Sequence, residues 1–104
     1  PIPFTQIWEN ITAAARVRPL VIQSLFMRVS GESPPIAELE AFCERLQEIL
    51  AAGGKLSLVQ IYTIARQPAE SFVAPLADAE VDAIAQLVRE RVGIEVAPFY
   101  GSGD

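Results

Sequence analysis

The chain has 104 residues, 51% of them hydrophobic, with 13 acidic against 8 basic side chains and a net charge of −5. That length holds one domain at most, and an acidic chain with no basic stripe excludes a phosphate-backbone surface and hence a nucleic-acid partner. A single cysteine, Cys43, and no histidine exclude an internal disulfide, a thiolate-rich metal centre and any Ser–His or Cys–His nucleophile pair.

The mean hydropathy is +0.30, high for so small a soluble domain, so part of the apolar surface is expected to be covered by something else. No apolar run approaches the ~20 residues of a membrane-spanning helix, so no membrane partner is expected. No basic segment leads into an apolar stretch as a secretory leader would. Single-cysteine usage fits the cytoplasm. Pro1 rather than Met stands first, so the start is expected to be trimmed.

In chain order, Ile7, Trp8, Ile11, Ala14 and Ala15 recur at helical spacing and predict a helix over residues 5–16, with Thr5 as its N-cap. Residues 19–27, PLVIQSLFM, form an apolar run of strand length without clean alternation, which suits a strand buried on both faces of a parallel sheet. A Ser30–Gly31–Glu32–Ser33 loop leads to Pro34 and Pro35, suited to a first helical turn.

The next helix has the clearest stripe: Ile36, Leu39, Phe42, Cys43, Leu46, Ile49 and Leu50 recur every three or four residues. Glu38, Glu40, Glu44, Arg45 and Glu48 fall on its other faces and read as solvated, while Cys43 reads as core. Gly53 and Gly54 end the helix. Residues 56–64, LSLVQIYTI, are β-branched and aromatic and predict a second strand. Residues 66–75 are irregular and longer than the ~2–6 residues usual between a strand and a helix, which makes them a candidate functional loop. Val81, Ile84, Ala85, Val88 and Val92 predict a third helix over 78–92, ended by Gly93. A short strand over 94–97 precedes Pro98, and residues 101–104 are expected to be a flexible tail.

The expected order is αβαβαβ, an α/β fold with a parallel sheet in residues 1–100. Three helices can cover one side of three strands, and the other side must meet something: the rest of a barrel, or a second copy through the sheet. In parallel α/β folds ligands lie beyond the C-terminal strand ends. Two places qualify, Arg28 with the Ser30–Ser33 loop, and Tyr62, Thr63 and Arg66 with the long loop. Period-2 alternation puts Gln60, Tyr62, Ile64 and Arg66 on one face, and Val59, Ile61, Thr63 and Ala65 on the other, which suits packing on helices. The polar members of the first set suit a ligand-facing wall, because a closed apolar core would penalise them. In the first strand Ser24, Phe26 and Arg28 share a face, with Gln23 opposite. The candidate cofactor- or substrate-facing residues are therefore Gln60, Tyr62, Arg66, Ser24 and Arg28. No carboxylate pair, phosphate loop or other catalytic constellation is visible, so no catalytic residue and no metal ligand is assigned.

The stretch Leu58-Val59-Gln60-Ile61-Tyr62-Thr63-Ile64-Ala65-Arg66-Gln67-Pro68, followed by Pro75-Leu76-Ala77-Asp78-Ala79-Glu80, resembles the C-terminal part of certain radical S-adenosylmethionine proteins. Val21-Ile22-Gln23-Ser24-Leu25-Phe26 and Glu44-Arg45-Leu46 with Gly53-Gly54 are similar to the same proteins, so the likeness spans about residues 19–100. Ala77 stands where that family often has a capping serine. The family's Cys-x3-Cys-x2-Cys loop, which holds a [4Fe–4S] cluster that cleaves S-adenosylmethionine to a radical, is not in this sequence. The resemblance implies the last helix–strand units of a partial (β/α) TIM-like barrel. S-adenosylmethionine and the cluster are then cofactors of a longer protein, and the N-terminal half of the barrel is the partner. It would turn Gln60, Tyr62 and Arg66 toward the lumen and leave this chain inactive by itself. A stand-alone small-molecule-binding module and a self-associating module are the alternatives.

Overall fold

The computed structural model describes residues 4–64 and 72–101. Helix α1 spans Phe4–Val17, α2 Ile36–Ala51 and α3 Asp78–Val92; strands are β1 Leu20–Leu25, β2 Arg28–Val29, β3 Leu56–Tyr62, β4 Val73–Ala74 and β5 Val96–Phe99. The α/β expectation holds: β1, β3 and β5 form a parallel sheet in that order, each joined to the next through a helix.

The apolar stripe of α2 buries Cys43, Leu46 and Ile49, and α3 buries Val81, Ile84, Ala85 and Val88. Both pack on Val59, Ile61 and Val96, with Ala15 of α1 and Leu20 and Ile22 of β1 in the same core. Phe26 closes its upper end, edge-to-face on Phe42 at 5.7 Å. Burying one fully enclosed Ile or Leu contributes about 1.5–3 kcal/mol, so this single core dominates stability. All three helices lie on one side of the sheet.

Element boundaries moved where side chains override propensity. Helix α1 begins at Phe4, so Thr5 lies inside it, and both prolines stand before α2, with Pro35 at its N-cap. The first expected strand, 19–27, stops at Leu25, and beyond it a separate strand, β2, pairs antiparallel with β4, registering Arg28 with Ala74 and Val29 with Val73. The last strand runs two residues later than expected and includes Pro98. Proline is tolerated there because β5 is an edge strand whose outer N–H groups need no partner.

Two glycines close α2 for different reasons. Gly53 has φ +89°, the left-handed region that other residues resist. Gly54 is buried, donates its N–H to the Ile49 carbonyl at 2.8 Å, and a Cβ there would stand 2.6 Å from Ile49 Cγ2 and 2.9 Å from its carbonyl oxygen. Gly101, expected in the tail, packs equally closely: a Cβ would meet the Ile64 carbonyl oxygen at 2.4 Å.

Candidate functional site

Strand register sorts the sheet residues onto two faces. Ile22, Val59 and Val96 form one row on the helix side, and Ser24, Ile61 and Pro98 the next. The opposite face carries Val21 beside Leu58, then Gln23–Gln60–Ala97, then Leu25–Tyr62–Phe99 at the C-terminal end. Nothing in the described chain covers this face. Val21 is 51% exposed and Leu25 53%, against 0% for Val59 and Ile61. The first strand, expected to be buried on both sides, alternates in burial residue by residue within the described chain.

The open face has a polar centre. Gln23 Nε2 donates to Gln60 Oε1 at 2.9 Å, and the Tyr62 hydroxyl donates to the same oxygen at 3.4 Å, a weaker contact. An amide oxygen has two lone pairs, so these two donors use both and fix which way the Gln60 amide points. The Tyr62 ring stacks on Phe99 with centroids 4.5 Å apart and planes 7° from parallel. Gln23, Leu25 and Tyr62, with Ser24 and Thr63, line a hollow of about 370 Å³ at the C-terminal ends of β1 and β3.

Gln60 and Tyr62 therefore share a face as alternation predicts. Ser24 is on the helix side in register with Ile61, and Gln23 takes the open-face position instead. The end of β1 at Leu25 breaks the alternation that grouped Ser24 with Arg28. Period 2 within β1 together with the β1–β3 register would have found Gln23, and Phe99 was missed because Pro98 argued against a strand there. Arg66 lies outside the described residues.

Arg28 is held elsewhere. Its guanidinium donates to Glu80 Oε1 at 2.8 Å and to the Gly31 carbonyl at 3.2 Å. Glu80 also accepts the Ala77 N–H at 2.9 Å and the Ser33 hydroxyl. Ala77 is the N-cap of α3 without a side-chain cap, so Glu80 supplies the half of a capping box that reaches back. Ser33, the Ala77 N–H and Arg28 hold the Glu80 carboxyl below its ordinary pKa, against a smaller opposing effect of desolvation. The Ser30–Ser33 loop turns through Ser30 at φ +51° and Gly31 at φ +81° and is closed by mutual Val29–Glu32 hydrogen bonds. Ser30 N–H donates to the Phe72 carbonyl at 2.6 Å, and buried Thr63 Oγ1 accepts the Leu76 N–H at 2.9 Å. These contacts tie both crossover loops over the C-terminal end of the sheet.

A larger hollow, about 560 Å³, lies between α1 and α2 beside Trp8, Thr12, Arg16 and Arg45. Arg16 donates to the Ala52 carbonyl and Arg45 binds both Glu48 oxygens, so both arginines are engaged within its own walls. It also sits where helices end and strands begin, opposite the end that holds ligands in parallel α/β folds.

Among the described residues no group of three His, Cys, Asp or Glu side chains could hold a metal ion. Cys43 is 1% exposed and burial pushes its thiol pKa up, which disfavours the thiolate that an iron–sulfur cluster requires. Cys43 does not fit as a cluster ligand, and its geometry agrees with the core role read from the α2 stripe. No described helix is long and apolar enough to cross a membrane. No family model matches the chain, and neither a curated protein nor a solved structure matches it.

Proposed function

We propose that these residues form consecutive strand–helix units in the wall of a partial (β/α) TIM-like barrel of the radical S-adenosylmethionine type. The open face is the lumen side, holding the adenosyl group or the substrate. One observation carries this reading: a parallel sheet covered by all its helices on one face, with Gln23, Gln60 and Tyr62 converging amid apolar residues on the other. A barrel wall has that construction, because helices form the outer ring and inward side chains meet the lumen. The sequence resemblance over residues 19–100 supplies the reaction class. A [4Fe–4S] cluster in this reading is held by residues other than these 104, in the N-terminal half of the barrel, and the protein is cytoplasmic.

The test is the longer polypeptide. Its coding sequence is expected to carry a Cys-x3-Cys-x2-Cys loop before Pro1. The protein, purified without oxygen, is expected to contain iron and sulfide and to cleave S-adenosylmethionine under reducing conditions. Gln60→Leu and Tyr62→Leu in that protein are expected to weaken cofactor or substrate binding about tenfold each. A start codon at Pro1, or a longer product that holds no iron, overturns the reading. The exposed Val21 and Leu25 support one rival, self-association of the chain through the open face. Sedimentation of the chain as a concentration-dependent dimer, abolished by Leu25→Gln, would favour that rival.

A further inference from the structure

Resting on the reading of the open face as a ligand wall, we infer that the hollow beside Gln23, Leu25 and Tyr62 receives a flat, uncharged group bearing a carboxamide edge, stacked against the β1-facing side of the Tyr62 ring. Three features of the molecule lead there.

Phe99 occupies one side of the Tyr62 ring, at 4.5 Å and nearly parallel, while the hollow is lined by Tyr62 and not by Phe99. The ring is held at a set angle by Phe99, and its other side faces β1, where its register partner Leu25 lines the hollow with it. A flat group there continues an existing stack, an arrangement favourable beyond the area it buries.

The polar chemistry next to that ring is amide chemistry. Gln23 uses one N–H on Gln60 Oε1, and Gln60 Oε1 has both lone pairs engaged by Gln23 and Tyr62. In the hydrogen bonds among the described residues, the Gln23 amide keeps a second N–H and its own carbonyl oxygen for a ligand. A donor and an acceptor side by side match the acceptor and donor of a carboxamide. A carboxylate or phosphate brings acceptors only and would leave the Gln23 oxygen facing negative charge.

Charge argues the same way. Among the described residues no charged side chain lines the hollow, and Arg28, the nearest candidate in sequence on β1's side, is committed to Glu80 and Gly31. Desolvating an anion without a cation opposite it is costly, whereas a neutral amide needs only the two hydrogen bonds. Leu25, beside the ring, completes an apolar edge for the rest of the group.

Benzamide and benzoate differ at this point alone, and the full 104-residue chain is the protein to titrate with each. Backbone and side-chain amide resonances report the contact. Benzamide is expected to shift the Gln23, Gln60 and Tyr62 signals with a millimolar dissociation constant, while benzoate at the same concentrations leaves them in place. Gln23→Leu and Tyr62→Ala are each expected to weaken benzamide binding about tenfold while the remaining spectrum stays native. Equal response to benzoate, no response at these residues, or a benzamide response unchanged in Gln23→Leu overturns the inference. Failure of the barrel reading is separable. A longer protein that cleaves S-adenosylmethionine beside a chain that ignores benzamide counts against this inference only, and the reverse pattern supports it while removing the radical chemistry.

Discussion

Alternate residues of the same three strands build two faces with opposite fates. On one, Val59 and Ile61 are fully enclosed by α2 and α3; on the other, their neighbours Leu58, Gln60 and Tyr62 are only half-buried and Leu25 lies open. The difference teaches that hydrophobic content alone does not locate a core. Ile61 stabilises the fold because helices remove it from water. Leu25, as apolar in sequence, contributes little until something covers it. Where the covered face tolerates Thr63 only with its Oγ1 bonded to the Leu76 N–H, the open face carries two glutamine amides linked to one another.

Substitutions that act on one face and spare the other will sharpen this contrast. The largest effect is expected for Ile61→Ala, about 3 kcal/mol lost in urea unfolding, since it leaves a cavity under two helices. A loss under 1 kcal/mol would mean that the helices do not close over β3. Gly54→Ala is expected to cost about 2 kcal/mol, because the new methyl has no room beside Ile49; thermal unfolding measures it. Glu80→Gln should cost about 1 kcal/mol at neutral pH by weakening the Arg28 link and the charge at the α3 start. Because the folded-state pKa of Glu80 is lowered, its contribution is present above the ordinary carboxylate range and is lost as pH falls through the folded value. Unfolding midpoints measured down the acid limb should converge for the two proteins; parallel curves would show that the carboxylate is not held by its partners. Ala77→Ser restores a side-chain cap and is expected to gain about 0.5–1 kcal/mol. The smallest effect belongs to the open face: Leu25→Gln should change monomer stability by under ~0.5 kcal/mol while reducing any self-association.

Much of the fold was legible in the residues. The α2 stripe placed Cys43, Leu46 and Ile49 correctly because a helix repeats its apolar positions over four turns, enough to average out local exceptions. Gln60 and Tyr62 were legible as face-mates because β3 alternates without interruption. Short elements were not. Two residues of β2 carry no periodic signal, and their pairing with Val73–Ala74 depends on two loops meeting in space. Arg28 looked ligand-facing because strand alternation was carried past Leu25, whereas its guanidinium answers to Glu80, 52 positions away. Ala77 was recognisable as the weak start of α3, but Glu80's reach back to its N–H was visible only in place.

The sequence by itself determined a parallel α/β chain in helix–strand units, a core stripe on each of the later helices, and an apolar content too high for one small core. Those are properties of local periodicity and composition, which act within a few residues. The tertiary structure alone decided that Gln23 rather than Ser24 joins Gln60 and Tyr62, and that Phe99 stacks on Tyr62. Each depends on strand register, and register is set by pairing between residues more than thirty positions apart, where a shift of one residue exchanges the two faces.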